Sequence, residues 1–123
     1  MSESPHKGKT GFVRLRNAFF YSIDGFKAAV ANEDAFRQEL LLAQILIPLA
    51  FWLRHSGLER ALMIGAVLLV LVVELLNSAV EAAVDRISIE NHHLAKRAKD
   101  LGSAAVLVCL INLVAVWALI LTA

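Results

Sequence analysis

ALMIGAVLLVLVV, residues 61–73, runs without a break into ELLNSAVEAAVD, residues 74–85, and the reading of that join decides the fold. The apolar part alone falls short of the roughly 20 residues that cross a hydrocarbon core. It becomes long enough only by continuing through Glu74 and Glu81 toward Asp85, which carries those carboxylates to membrane depth or to its inner interface. At about 100° per residue, with Glu74 as zero, Asn77 falls near −60°, Glu81 near −20°, Asp85 near +20° and Ser78 near +40°. All five share one face, and Leu75, Leu76, Ala79, Val80, Ala82, Ala83 and Val84 cover the rest. A carboxylate in such a segment costs roughly 2.5–3.5 kcal/mol on insertion scales, so this stripe is expected to face the protein interior as a functional site.

The wider composition agrees with a membrane reading. Of 123 residues, 59% are hydrophobic, and the mean hydropathy is +0.66, too apolar for a soluble domain of this size. Two further stretches lack charge, residues 40–53 and 101–123. The second spans unaided; the first carries Gln44 and Pro48 and reaches across by including its flanks, 36–54, with Arg37 and Arg54 snorkelling. Pro48 removes a backbone donor and is expected to kink that helix. The single cysteine, Cys109, has no intrachain partner and reads as a small core or lipid-facing residue.

Charge placement sets the orientation. The formal net charge of +1 excludes a nucleic-acid partner recruited by global basicity. Six of the twelve basic residues lie between Lys7 and Arg37, four between Arg86 and Lys99, and only Arg54 and Arg60 flank the first interhelical turn. The positive-inside rule therefore makes the N-terminus and the second loop cytoplasmic. The opening MSESPHKGKTGFVRLR has no signal-peptide core and is expected to remain on the mature protein.

These features give an all-α membrane protein in a single domain, residues 1–123. Residues 1–10 form a polar tail. Residues 12–31 form an amphipathic surface helix, with Phe12, Leu15, Phe19, Ile23, Phe26 and Val30 recurring at helical spacing opposite Arg14, Arg16, Asn17 and Asp24. Transmembrane helices follow over 36–54, 60–85 and 101–122, the polar stretch RISIENHHLAKRAKD leading into the last. A single copy would leave the polar stripe toward lipid, which argues for a homo-oligomeric helical bundle. Small residues such as Ala79, Ala82, Ala83, Gly102, Ser103, Ala104 and Ala105 allow the close helix approach this needs.

A carboxylate cluster beside a basic cytoplasmic stretch suits a divalent cation and a phosphate. Mg²⁺ takes one or two carboxylates, with phosphates and water completing its shell. Glu81 can supply one and Glu33 a second, while Lys96, Arg97, Lys99 and Arg14 can contact phosphate oxygens. Glu74 lies roughly 10 Å deeper than Glu81 at 1.5 Å per residue, placed to take a proton from a lipid hydroxyl. Plainer readings stand beside these. The stripe can serve as interhelical hydrogen-bonding glue. Asp85 can be a helix-end charge partner of Arg86 or another basic residue. The cations at 96–99 can be topology signals, and Trp52 and Trp117 interface anchors or packing. His92 and His93 lack a second pair at ligand spacing and do not read as a metal site. A proton or ion pathway lined by Glu74, Glu81 and Asp85 is the alternative from another class, but it gives no reason for the cations at 96–99.

NEDAFRQE at 32–39, VELLNSAVEAAVDRI at 73–87 and AKDLGSAAV at 98–106 together resemble the small prokaryotic diacylglycerol kinases of the inner membrane. GFVRLRNAFFYSIDGFKAA, 11–29, is similar to that family's surface helix with weaker matching. The resemblance implies a multi-pass homotrimer with active sites shared between neighbours, using ATP and Mg²⁺ to phosphorylate diacylglycerol to phosphatidic acid. It implies that Glu74 is the catalytic base with Asn77 beside it, and that Glu33 and Glu81 hold Mg²⁺. Arg14, Tyr21, Glu90, His92, Lys99 and Asp100 would contact nucleotide. Lipid contacts would fall on Arg14, Ala35, Phe36, Arg37, Gln38, Glu39, Trp52, Arg60, Glu74, Ser103 and Trp117. Asp24 departs from the pattern, which carries a basic residue there. The nearest alternative substrate is another lipid alcohol, undecaprenol.

Overall fold

The computed structural model describes residues 10–87 and 92–123, apart from the His92 side chain. The first nine residues, assigned above to the polar tail, and Glu90 lie outside the described residues.

Four helices follow in order: α1 (Gly11–Asn32), α2 (Asp34–Leu53), α3 (Gly57–Ile87) and α4 (His92–Thr122). The chain divides into two compact units, residues 1–33 and 34–123. In the first, α1 opens at Gly11 with φ of +72°, a left-handed conformation that a residue with a Cβ rarely adopts. Most of its apolar positions are exposed, Phe12 at 79% and Leu15 at 68%, as an interfacial helix requires, while Ile23 is half-buried and Ala29 buried. It ends where the Asn32 carboxamide donates to the Ala28 carbonyl at 2.9 Å and the Glu33 N–H donates to the Ala29 carbonyl at 2.9 Å.

The second unit is built around α3, with α2 and α4 packed against it. The reason is a stripe at three- and four-residue spacing: Met63, Ala66, Val67, Val70, Glu74 and Asn77 are the buried residues of α3. Against it stand Ala43 and Ala50 of α2 and Cys109, Leu113 and Trp117 of α4. In a bilayer lipid is as apolar as the core, so helices associate through close packing, and alanine at Ala43, Ala50 and Ala66 permits it. Most other apolar side chains of these helices face outward, among them Leu41, Ile45, Leu107, Val108, Ile111 and Val114. All three helices are long and apolar enough to cross a membrane.

Local sequence explains the turn. The Ser56 hydroxyl accepts the Glu59 N–H at 3.4 Å, an N-cap that starts α3. At the other junction α4 begins at His92, so the basic stretch 92–100, expected to be a polar lead-in, is helical. Its alanines, leucine and lysines are good helix formers, and Lys96 pairs with Asp100 one turn on at 2.6 Å.

Candidate active site

The buried stripe of α3 changes character at Glu74. Four apolar positions give way to Glu74, 5% exposed, and Asn77, 9% exposed, while Glu81 lies half-buried a turn beyond. The 3.6-residue repeat that packs the core therefore turns these polar groups inward as well. The Asn77 carboxamide donates to Glu81 Oε1 at 3.5 Å, joining the two along the helix.

Two other helices complete the site. From α2, Glu39 meets Glu74, the two carboxyl groups within hydrogen-bonding reach. The family resemblance implies only a lipid contact for Glu39; its pairing with Glu74 depends on the register between α2 and α3. From α4, Gly102 lies over Asn77: a Cβ there would collide with Asn77 Oδ1 and stand 3.0 Å from its Cγ. Further along, the Lys99 ammonium stands 2.7 Å from Asp85 Oδ1 and within electrostatic range of Glu81. Asp85 thus finds its counter-charge on α4, in keeping with its structural reading.

The polar supply of the site is incomplete. Among the described residues four side-chain atoms are buried without a hydrogen-bond partner. Three of them, Glu39 Oε2, Asn77 Oδ1 and Ser78 Oγ, lie here, the fourth being Arg54 Nε at the other end of the unit. Orphaned acceptors are costly, and their concentration around one stretch of α3 marks a place built to meet something else. No three His, Cys, Asp or Glu side chains among the described residues converge as a metal cage. A cation arriving on a phosphate ligand needs no cage; one or two carboxylates suffice. Glu81, held by Asn77 with Lys99 nearby, fits that requirement as a hard oxygen donor beside a cation suited to phosphate.

The remaining expected residues fall elsewhere. Arg14, Tyr21 and Glu33 belong to the α1 unit, where Arg14 and Tyr21 are exposed and Glu33 is half-buried. Ala35 and Gln38 are exposed, Arg37 is exposed and paired with Asp34, and Phe36 is fully buried. Ser103 is exposed beside Gly102. Asp100 pairs with Lys96. Trp52, Arg60 and Trp117 gather at the opposite end of the bundle: Arg60 precedes Glu74 on α3 by roughly 21 Å at 1.5 Å per residue. There the Trp117 indole donates to the Met63 carbonyl at 3.1 Å, so this residue packs the core.

Residues 20–121 match the family model described as prokaryotic diacylglycerol kinase. The chain is 58% identical over 121 residues to a diacylglycerol kinase of Pseudomonas aeruginosa, covering 98% of each sequence. It is 54% identical over 108 residues to one of Haemophilus influenzae, 88% of this chain and 92% of the relative. A third, from Escherichia coli strain K12, is 49% identical over 112 residues, 91% and 92% respectively.

Proposed function

The chain belongs to the prokaryotic diacylglycerol kinase family, and from that membership we propose that it transfers a phosphoryl group from ATP to the free hydroxyl of diacylglycerol, with Glu74 as general base. The observation that carries the assignment of roles is the gradation along α3, from a deeply buried Glu74 through Asn77 to a half-buried Glu81. The lipid hydroxyl reaches the deep end, and the charged phosphates stay at the shallow one.

In the reaction the hydroxyl proton passes to Glu74 as its oxygen bonds to the γ-phosphorus, and the bond from that phosphorus to the bridging oxygen breaks, releasing ADP. Glu39 positions the base. A hydrogen bond between two carboxyl groups needs a proton on one of them; with Glu39 as its donor, Glu74 keeps lone pairs for the substrate. Asn77 holds Glu81 in place, and Lys99 exchanges Asp85 for phosphate oxygens. Asp100, Arg14, Tyr21, Glu90 and His92 complete the nucleotide contacts. Glu81 and Glu33 would hold Mg²⁺, which when bound offsets phosphate charge.

The outward apolar side chains of α2 and α4 support a protein embedded in the bacterial inner membrane. We infer a homotrimer with shared sites from the family membership, and a cytoplasmic N-terminus from the distribution of basic residues. In the same chain α2 and α4 already cover Glu74 and Asn77, so the trimer does not rest on shielding them. The test uses purified protein in lipid micelles, MgATP, and either diacylglycerol or undecaprenol, with labelled lipid phosphate as the product. Diacylglycerol is expected to be the substrate. No phosphorylated lipid from either alcohol would overturn the kinase reading; full turnover by Glu74→Gln would remove the base assignment alone.

A further inference from the structure

At the site, α4 carries no side chain where it faces Asn77 of α3. The carboxamide of Asn77 lies against the Gly102 backbone, in the space a Cβ would fill. Asn77 is nine-tenths buried, and its other end donates to Glu81 Oε1. Two constraints therefore fix this amide: Gly102 behind it and Glu81 ahead of it.

We propose that Gly102 is a positioning residue for phosphoryl transfer, its missing side chain forming the seat that holds Asn77 toward Glu81. The inference deepens the kinase reading and rests on it for its catalytic consequence. The choice of glycine is not explained by backbone conformation, since Gly102 lies within α4 and carries no positive φ. Nor is it explained by close contact with a rigid neighbour, because the three nearest atoms a Cβ would meet all belong to the Asn77 side chain. That side chain can turn aside, so an added methyl group displaces the amide and leaves the helices in place. Glycine inside a helix costs about 1 kcal/mol relative to alanine, and the seat is what that cost maintains.

The test compares wild type with Gly102→Ala, Asn77→Ala and the double variant, measuring kcat and KM for both substrates in lipid micelles, thermal stability, and the side-chain amide NMR signal of Asn77 in the protein without nucleotide. Misplacement of a reacting group by about 1 Å costs about 100-fold in rate. Gly102→Ala should lose kcat on that scale with KM for diacylglycerol little changed, keep its melting temperature, and shift the Asn77 amide signal. The double variant should be no slower than Asn77→Ala alone, because Gly102 acts only through Asn77. If Gly102→Ala instead fails to fold, Asn77→Ala in the same chain should restore folding by clearing the seat. An unmoved amide signal, losses that multiply in the double variant, or misfolding that persists in it would each overturn the proposal. Unchanged kcat in Asn77→Ala would instead refute the role of Asn77 in the kinase reading, a result the NMR measurement separates from failure of the seat.

Discussion

The two ends of the three-helix unit treat their polar groups in opposite ways. At the turn between α2 and α3, Arg60 donates from Nε to the Arg54 carbonyl at 2.6 Å and from a terminal nitrogen to the Phe51 carbonyl at 2.8 Å, with its guanidinium 5.0 Å from the Phe51 ring centre. Arg54 donates to the Ile120 carbonyl at 3.0 Å, tying the end of α2 to α4, and its Nε stands 3.3 Å from Glu59 in an ion pair short of hydrogen-bond geometry. The groups here close helix ends whose carbonyls have no partner within the helix. Around Glu74 the balance differs: Glu39, Asn77 and Ser78 each keep a buried polar atom unmatched among the described residues, whereas at the turn only Arg54 Nε does, and it faces the Glu59 carboxylate. The contrast separates a clamp from a site. One end spends its polarity on cohesion, and the other holds it ready for substrate.

Substitutions can break this comparison, and the largest effect is expected at Glu74. Glu74→Gln should reduce kcat by about 10²–10⁴, the usual contribution of general-base catalysis, while resistance to SDS unfolding stays the same or rises. A large loss of stability would make Glu74 part of the clamp. Glu39→Ala comes next, with a drop in kcat of about 100-fold from a base left without its positioning partner. Glu39→Gln should retain more activity, since its amide can still donate to Glu74, and equal losses in the two variants would argue against the pairing.

At the clamp the readout changes from rate to stability. Arg60→Ala should cost about 1.5–3 kcal/mol through charged hydrogen bonds, with kcat in the surviving fraction near wild type. Trp117→Phe removes the bond to the Met63 carbonyl and should cost about 0.5–1.5 kcal/mol. Both are followed by SDS titration. A kcat loss beyond tenfold in either variant, with the fold intact, would show that the lipid site reaches this end. The smallest effect is expected from Asp85→Asn, because an exposed pair such as Asp85 with Lys99 contributes little. Its melting temperature should not measurably change.

The polar stripe of α3 was legible in the sequence because it depends on one helix alone. Once residues 61–85 are read as a continuous helix, Glu74, Asn77 and Glu81 must share a face. The same holds for the outward apolar residues of α1. The stretch 92–100 has the charge density of a loop, whereas its residue types favour the helix it forms. Trp117 is ambiguous in sequence, since an indole suits an interface and a core equally, and only the bond to Met63 decides it.

By itself the sequence determined three apolar helices, the inward face of α3 and the family whose segments the chain carries, since helical periodicity and hydropathy are properties of a single segment. Only the tertiary structure decided that Glu39 meets Glu74, that Asp85 meets Lys99 and that Gly102 makes room for Asn77. Those meetings depend on how far one helix slides and rotates against another, and the packing of small side chains across the whole interface sets that register.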